Sequence, residues 1–179
     1  MTKTFILLLA PLAFTAVAQD VRYNFDEQAD FGKYHTYKLV EARGSQPLDD
    51  LNKKQLTDVI QQELAKKGFT LASGDNSDVV VSYQVAISTE KQINTWNDGW
   101  GMGPGWRGGW AGAPTMSQST TSTLYVGELA LDMYDASKKQ LVWRAVASKT
   151  IDVKAKPEKR EKNLHKALEK MLKKYPPKK

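Results

Sequence analysis

Val79-Val80-Val81-Ser82-Tyr83-Gln84-Val85-Ala86-Ile87-Ser88 sends Val79, Val81, Tyr83, Val85 and Ile87 to one side of an extended chain. Val80, Ser82, Gln84, Ala86 and Ser88 go to the other. A period of two is the mark of a half-buried strand. A strand with one wet side belongs to a sheet that is covered on one face, so the rest of the chain must supply more strands and an amphipathic cover.

Downstream, Met116 to Thr123 is rich in Ser and Thr and can run as a strand into Leu124-Tyr125-Val126. Leu129, Leu131 and Met133 then alternate with Ala130, Asp132 and Tyr134. Asp135 to Gln140 reads as a hairpin loop. Beyond it Leu141, Trp143, Ala145 and Ala147 form one face of a strand that runs to about Val153. Upstream, Val21 to Phe25 alternates, and Tyr34 to Val40 is rich in aromatic and β-branched residues. Phe69-Thr70-Leu71 is a short strand candidate.

Two helices supply the cover. In the first, Asp49 or Asp50 can accept from free first-turn amides, and Leu51, Leu56, Val59, Ile60 and Leu64 fall near one face. Lys66 and Lys67 oppose the negative end of its dipole, and Gly68 follows as a left-handed stop. The second is a basic amphipathic helix over 157–175. It opens at Pro157, carries its apolar stripe on Leu164, Ala167, Leu168, Met171 and Leu172, extends to Tyr175, and ends before Pro176-Pro177. Helices do not alternate regularly with strands. The expected fold is α+β: a mainly antiparallel sheet with both helices packed on one face.

Between the central strands lies WNDGWGMGPGWRGGWAGAP, residues 96–114, with four of the five tryptophans and seven of the twelve glycines. Strands flank it, so it is expected to be a long, flexible hairpin loop. It lacks the lysine and hydroxyl residue of a P-loop, and the helix that a dinucleotide fingerprint requires. Trp100, Trp106 and Trp110 fit no helix or strand period. They either stack on a partner surface or fold back on their own domain.

The ends speak to compartment. Lys3, the apolar run from Phe5 to Phe14, and Ala16-Val17-Ala18 stand in the order of a secretory signal. Residues 1–18 are therefore expected to be removed, leaving one α+β domain over 19–179. No later segment reads as a transmembrane helix. The chain has no cysteine, which excludes disulfides, a cysteine nucleophile and lipid anchoring through a cysteine after the signal. The formal charge is +6, and residues 154–179 hold eleven Lys/Arg and three Glu, so 19–153 are net acidic. Those lysines interleave with an apolar stripe at helical spacing and read as a solvated helix face. Export also disfavours nucleic acid as a partner.

Catalytic chemistry is sparse. Of two histidines, His35 is in phase with Tyr37 and Leu39 and reads as a packed strand residue. His165 reads as a surface residue with Glu161 and Glu169 one turn either side. Two distant histidines cannot build a structural zinc site. The acidic pairs Asp49-Asp50, Asp75-Asp78 and Asp132-Asp135 read as helix cap, turn and hairpin start. No cofactor, metal or catalytic residue is assigned.

Phe25-Asp26, Asp30-Phe31, Tyr34, Thr36-Tyr37, Glu63-Leu64, Lys67-Gly68-Phe69, Asp78 to Tyr83, Leu131-Asp132, Leu141 to Arg144 and Tyr175-Pro176-Pro177 occur as an ordered set across the chain. With the Gly/aromatic insertion, the chain resembles the bacterial exported proteins grouped as domain of unknown function 4136. That resemblance implies an envelope protein, often a lipoprotein, without an assigned activity, although no lipobox cysteine is present here.

The function expected is a non-enzymatic binding or assembly module of the cell envelope, in the periplasm or at the outer membrane. Its partner would be an envelope protein, a glycan or a lipid surface, met through Trp96, Trp100, Trp106 and Trp110. A hydrolase acting on an envelope polymer, with Glu90, Asp98 and Glu128 as its carboxylates, is a second reading. A passive structural envelope protein is a third.

Overall fold

The computed structural model describes residues 20–74, 76–96 and 118–178, with the backbone alone at 93–96 and 118–120. The expected signal, Asp75, and Trp100, Trp106 and Trp110 lie outside the described residues. The elements run β1 Asp20–Phe25, a 3-10 turn Phe31–Lys33, β2 Thr36–Glu41, α1 Asp50–Lys66, β3 Thr70–Leu71, β4 Val79–Trp96, β5 Gln118–Asp135, β6 Gln140–Ile151 and α2 Pro157–Leu172.

Six strands form a single sheet in the order β1-β6-β5-β4-β2-β3, and with two helices the class is α+β. The sheet is mixed. β1, β6, β5 and β4 pair antiparallel, whereas β2 runs parallel to both β4 and β3. The parallel pairing follows from α1: a strand can return beside its predecessor in the same direction only through a crossover, and α1 is that crossover.

The alternation of β4 sets the core. Leu39, Val81, Met133, Trp143 and Phe25 align across the sheet, and Tyr83, Leu131 and Ala145 form the next row. Leu56, Val59, Ile60 and Leu64 of α1 and Ala167, Leu168, Met171 and Leu172 of α2 bury against these rows. On the opposite side Lys38, Gln84, Glu128 and Arg144 are exposed, as the polar half of the alternation requires. Asp49 caps α1 by accepting from Asn52 N at 2.9 Å, and Gly68 takes φ +85° after the last turn.

Five expectations need correction. Leu51 is 81% exposed. It lies five residues before Leu56, about 140° round the helix, so it cannot share that face. The second strand starts at Thr36 instead of Tyr34, and His35 is exposed instead of packed. Asp78 Oδ2 accepts from His35 N at 2.9 Å, Thr36 N at 2.8 Å and Thr36 Oγ1 at 2.9 Å, which fixes where the strand begins. Leu141 is 40% exposed because a bulge inserts Val142: Met133 pairs with Trp143 but Tyr134 with Leu141. The last helix ends at Leu172, and the chain then folds Tyr175 back into the core.

The Tyr175 ring packs 5.6 Å from Phe31, 5.8 Å from Trp143 and 5.4 Å from Phe69, the first two edge-on. Its hydroxyl is buried without an acceptor among the described residues, and burial raises its pKa. Tyr175→Ala is expected to cost about 3–5 kcal/mol, as for other large buried aromatics. Tyr175→Phe should be neutral or stabilising, since it removes a desolvated hydroxyl and keeps the ring. Urea denaturation followed by circular dichroism measures both, and a loss above about 1 kcal/mol for the phenylalanine variant would sink the ring-only account.

Candidate functional site

The sheet is not of even length. β2 stops at Glu41 opposite Tyr83, and β6 stops at Ile151 opposite Tyr125. The loop after β2 follows β4 a little further: Gln46 N donates to Val85 O at 2.8 Å, and Ile87 N donates to Gln46 Oε1 at 2.8 Å. Beyond that β4 and β5 pair only with each other among the described residues, out to Trp96 opposite Gln118. They form a two-stranded arm whose two backbone edges are unpaired among the described residues. Such a ribbon is marginal in water by itself, and an open edge is a template for another strand. The flanks of the Gly/Trp stretch are thus adjacent antiparallel strands, as a hairpin connection requires.

Trp96 belongs to β4, and Asp98, Trp100, Trp106 and Trp110 fall outside the described residues. The two described carboxylates of the hydrolase reading are not brought together. Glu90 pairs with Leu124 and Glu128 with Ala86, a displacement of four residues along the ladder. That is roughly 13 Å at strand rise, beyond the ~5–9.5 Å that paired glycosidase carboxylates span.

At the foot of the arm, where the helices leave the sheet, lies a half-open groove of about 320 Å³. No motif in the sequence marks it. Its origin is a taper in side-chain size on the covered face. Along β6 the sequence goes from Trp143 to Ala145 to Ala147; along β5 it goes from Met133 through Leu131 and Leu129 to Gly127. The wide end fills the space under the helices and the narrow end does not. Val85 and Ile87 floor the groove, Leu56 and Leu164 reach it from the helices, and Ile151 lies over Gly127.

Polar residues, among them Asn52, Gln55 and Glu128, also line it. Lys149 Nζ donates to Asn163 Oδ1 at 3.3 Å, and Arg160 Nη1 donates to Ala155 O at 3.4 Å. Arg160 Nε is buried without an acceptor among the described residues. Asp152 also lines the groove, but it accepts from Lys154 N at 3.0 Å and pairs with Lys159 at 3.4 Å.

The remaining acidic and histidine candidates serve the framework. His165 was expected to face Glu161 or Glu169 on its own helix; instead its Nδ1 meets Glu63 Oε1 of α1 at 2.7 Å. Burial opposes the charge on Glu63, but hydrogen bonds from Lys66 and His165 outweigh it and hold the carboxyl below its ordinary range. Asp132 takes a bidentate grip from Arg144, with both contacts at 2.6 Å. Asp135, with a side chain 2% exposed, accepts from Ser137, Lys138 N, Lys33 and Tyr34. These bonds, the Ser137 hydroxyl first, hold its carboxyl well below the usual range despite burial. Burial, followed by the bond to Asp135, pushes the Tyr34 phenol upward.

The family model described as Domain of unknown function (DUF4136) matches residues 21–177. No curated protein matches the sequence. Among solved structures, a PDZ domain protein from Parabacteroides distasonis is similar at TM-score 0.53 and 14% identity, over 90% of this chain and 37% of that one. This chain therefore spans little more than a third of that protein's length. A PelC dodecamer from Paraburkholderia phytofirmans, a point variant, is similar at TM-score 0.50 and 15% identity, over 87% of this chain and 95% of that one. At these identities the likeness is one of fold. No helix among the described residues is long and apolar enough to cross a membrane.

Asp135→Asn is expected to cost about 2 kcal/mol at pH 7, the scale of losing charge-assisted hydrogen bonds. The Asp135 carboxyl is depressed in the folded state. Its stabilisation is therefore complete above the unfolded value near pH ~4 and fades as pH falls toward the folded value. Urea midpoints taken between pH 7 and pH 2 should show the gap between variant and parent closing on the acid side; a constant gap would contradict the assignment.

Proposed function

This chain belongs to the DUF4136 family, and from that premise we propose that it is a non-enzymatic binding or assembly module of the bacterial cell envelope. It acts after export, in the periplasm or at the outer membrane. Its contact element is the arm with the Gly/Trp-rich stretch 96–114 at its end. The observation that carries this reading is the arm itself. β4 and β5 extend past every other strand of the sheet as a ribbon whose edges are unpaired among the described residues. A ribbon of that kind adds nothing to the core that holds the fold. Where it offers open edges and tryptophans, it can add strands to, or stack rings on, a partner protein, glycan or lipid surface.

The assembly half of the reading is supported by the PelC dodecamer, in which a chain of similar fold over 95% of its length forms a multi-copy complex. The hydrolase reading would need Asp98 to complete a pair that Glu90 and Glu128 do not form with each other.

The test deletes Asn97 to Ala113 and, separately, places a photo-crosslinker at position 100 or 106 of the full chain in living cells. Specific adducts from those positions are expected, together with loss of envelope partners in the deletion. Unchanged partners and unchanged membrane association would remove the loop from its role. A deletion without phenotype and without any captured partner would favour the passive structural reading.

A further inference from the structure

We infer that the groove at the foot of the arm binds a single-chain anionic amphiphile, an aliphatic tail bearing a carboxylate. The tail would lie over Val85, Ile87 and Leu164, and the headgroup would meet Arg160 and Lys149. The site is independent of the Gly/Trp stretch.

The tail is argued from shape and lining. A volume of about 320 Å³ is at the small end of ligand pockets. It equals about ten water volumes, which suits one aliphatic chain and not two. Val85, Ile87, Leu129, Leu164 and Ala167 give the groove a mainly apolar floor with polar residues such as Asn52 and Gln55 beside it, so an aliphatic chain can lie there without losing hydrogen bonds of its own. The taper that opens the groove is built into the sheet, so the site exists before a ligand arrives.

The headgroup is argued from charge. Among the described residues, neither Lys149 nor Arg160 has a carboxylate within ion-pair distance; their partners are the neutral Asn163 side chain and the Ala155 carbonyl. Arg160 Nε is buried and has no acceptor among the described residues. A guanidinium presents a planar fork that matches a carboxylate, and Arg160 lines the groove without a carboxylate partner of its own among the described residues. Asp152 and Glu128 also line the groove, but Asp152 is held by Lys159 and Glu128 lies on the opposite, exposed side of the alternation. Arg160 stands apart on its own helix as well. Every other described Lys or Arg from 154 to 178 is exposed, and Arg160 is half-buried. The basic tail as a whole is solvated, and one guanidinium turns inward.

The test is isothermal titration of residues 19–179 with laurate, dodecyl maltoside and dodecyltrimethylammonium, each below its micellar concentration. Laurate is expected to bind one to one, at least about tenfold more tightly than the neutral maltoside, and the cation not measurably. Arg160→Gln should weaken laurate about tenfold and leave the maltoside unchanged, the signature of losing a charge-assisted contact and not the fold. Ile87→Glu, at a position 37% exposed and so tolerant of charge, should also weaken laurate. The deletion of 97–113 should bind laurate as the full chain does, which separates this site from the role proposed for the loop. Absence of saturable laurate binding, equal affinity for all three tails, or an unchanged Arg160→Gln would overturn the inference. Sedimentation in which Ile87→Glu dissociates an oligomer would assign the groove to a second copy and overturn it too.

Discussion

The burial of the Tyr175 ring is the constraint on which the rest of the molecule depends. It arrives from beyond the end of α2 and meets Phe31 from the turn after β1, Phe69 from the end of α1, and Trp143 from β6. Phe31 in turn contacts Phe25 and Tyr34, and Phe69 contacts Tyr37. Aromatic pairs of this geometry add about 0.5–1.5 kcal/mol each beyond their area. More important is that they join segments far apart in sequence. Lys67 Nζ also donates to the Tyr175 carbonyl at 3.1 Å, so the end of α1 holds the same residue by its backbone. Both helices are thereby clamped to one end of the sheet.

The clamp explains the groove. With the helices fixed where Trp143 and Met133 are large, the spacing between layers is set there. Toward Ala147 and Gly127 the sheet no longer has the side chains to fill that spacing, and the helices cannot collapse onto it without unpacking the aromatic end. An opening that would cost stability in an evenly packed core is here the geometric consequence of a taper. The same clamp accounts for the family resemblance. Phe31, Tyr34, Tyr37, Phe69, Trp143 and Tyr175 are all among the residues that carry it, and all are buried. The fingerprint records how this fold is held.

Much of this was legible in the sequence because it rests on local periodicity. The alternation of 79–88, the cap at Asp49, the stop at Gly68 and Pro157 at the start of α2 each follow from one residue's own conformational preference. What was not legible is non-local. Leu141 was assigned to the wrong side because one inserted residue, Val142, reverses the phase of a strand, and a bulge leaves no sign in composition. His165 was given partners on its own helix because i,i+4 neighbours can be counted, whereas Glu63 lies 102 positions away. The parallel pairing of β2 needed the knowledge that α1 is a crossover. The groove was invisible for the same reason: Ala145, Ala147 and Gly127 are unremarkable until register sets them beside one another.

Charge follows the same division between count and placement. Eleven Lys/Arg in the last 26 residues could be counted as a surface for anions, but their helical spacing reads as a solvated face. α2 turns its apolar stripe to the core and leaves Lys162, Lys166 and Lys170 in solvent, where a point charge is screened within about 8–10 Å at physiological salt. A diffuse charge of that kind raises encounter rates with any anionic partner and discriminates little among them. Discrimination requires a charge that is partly desolvated and held in a fixed orientation. Arg160 meets that description: one nitrogen is tied to the Ala155 carbonyl, another is buried without an acceptor among the described residues, and an apolar wall stands beside it. The informative cation in this basic helix is the one that its packing has withdrawn from the rest.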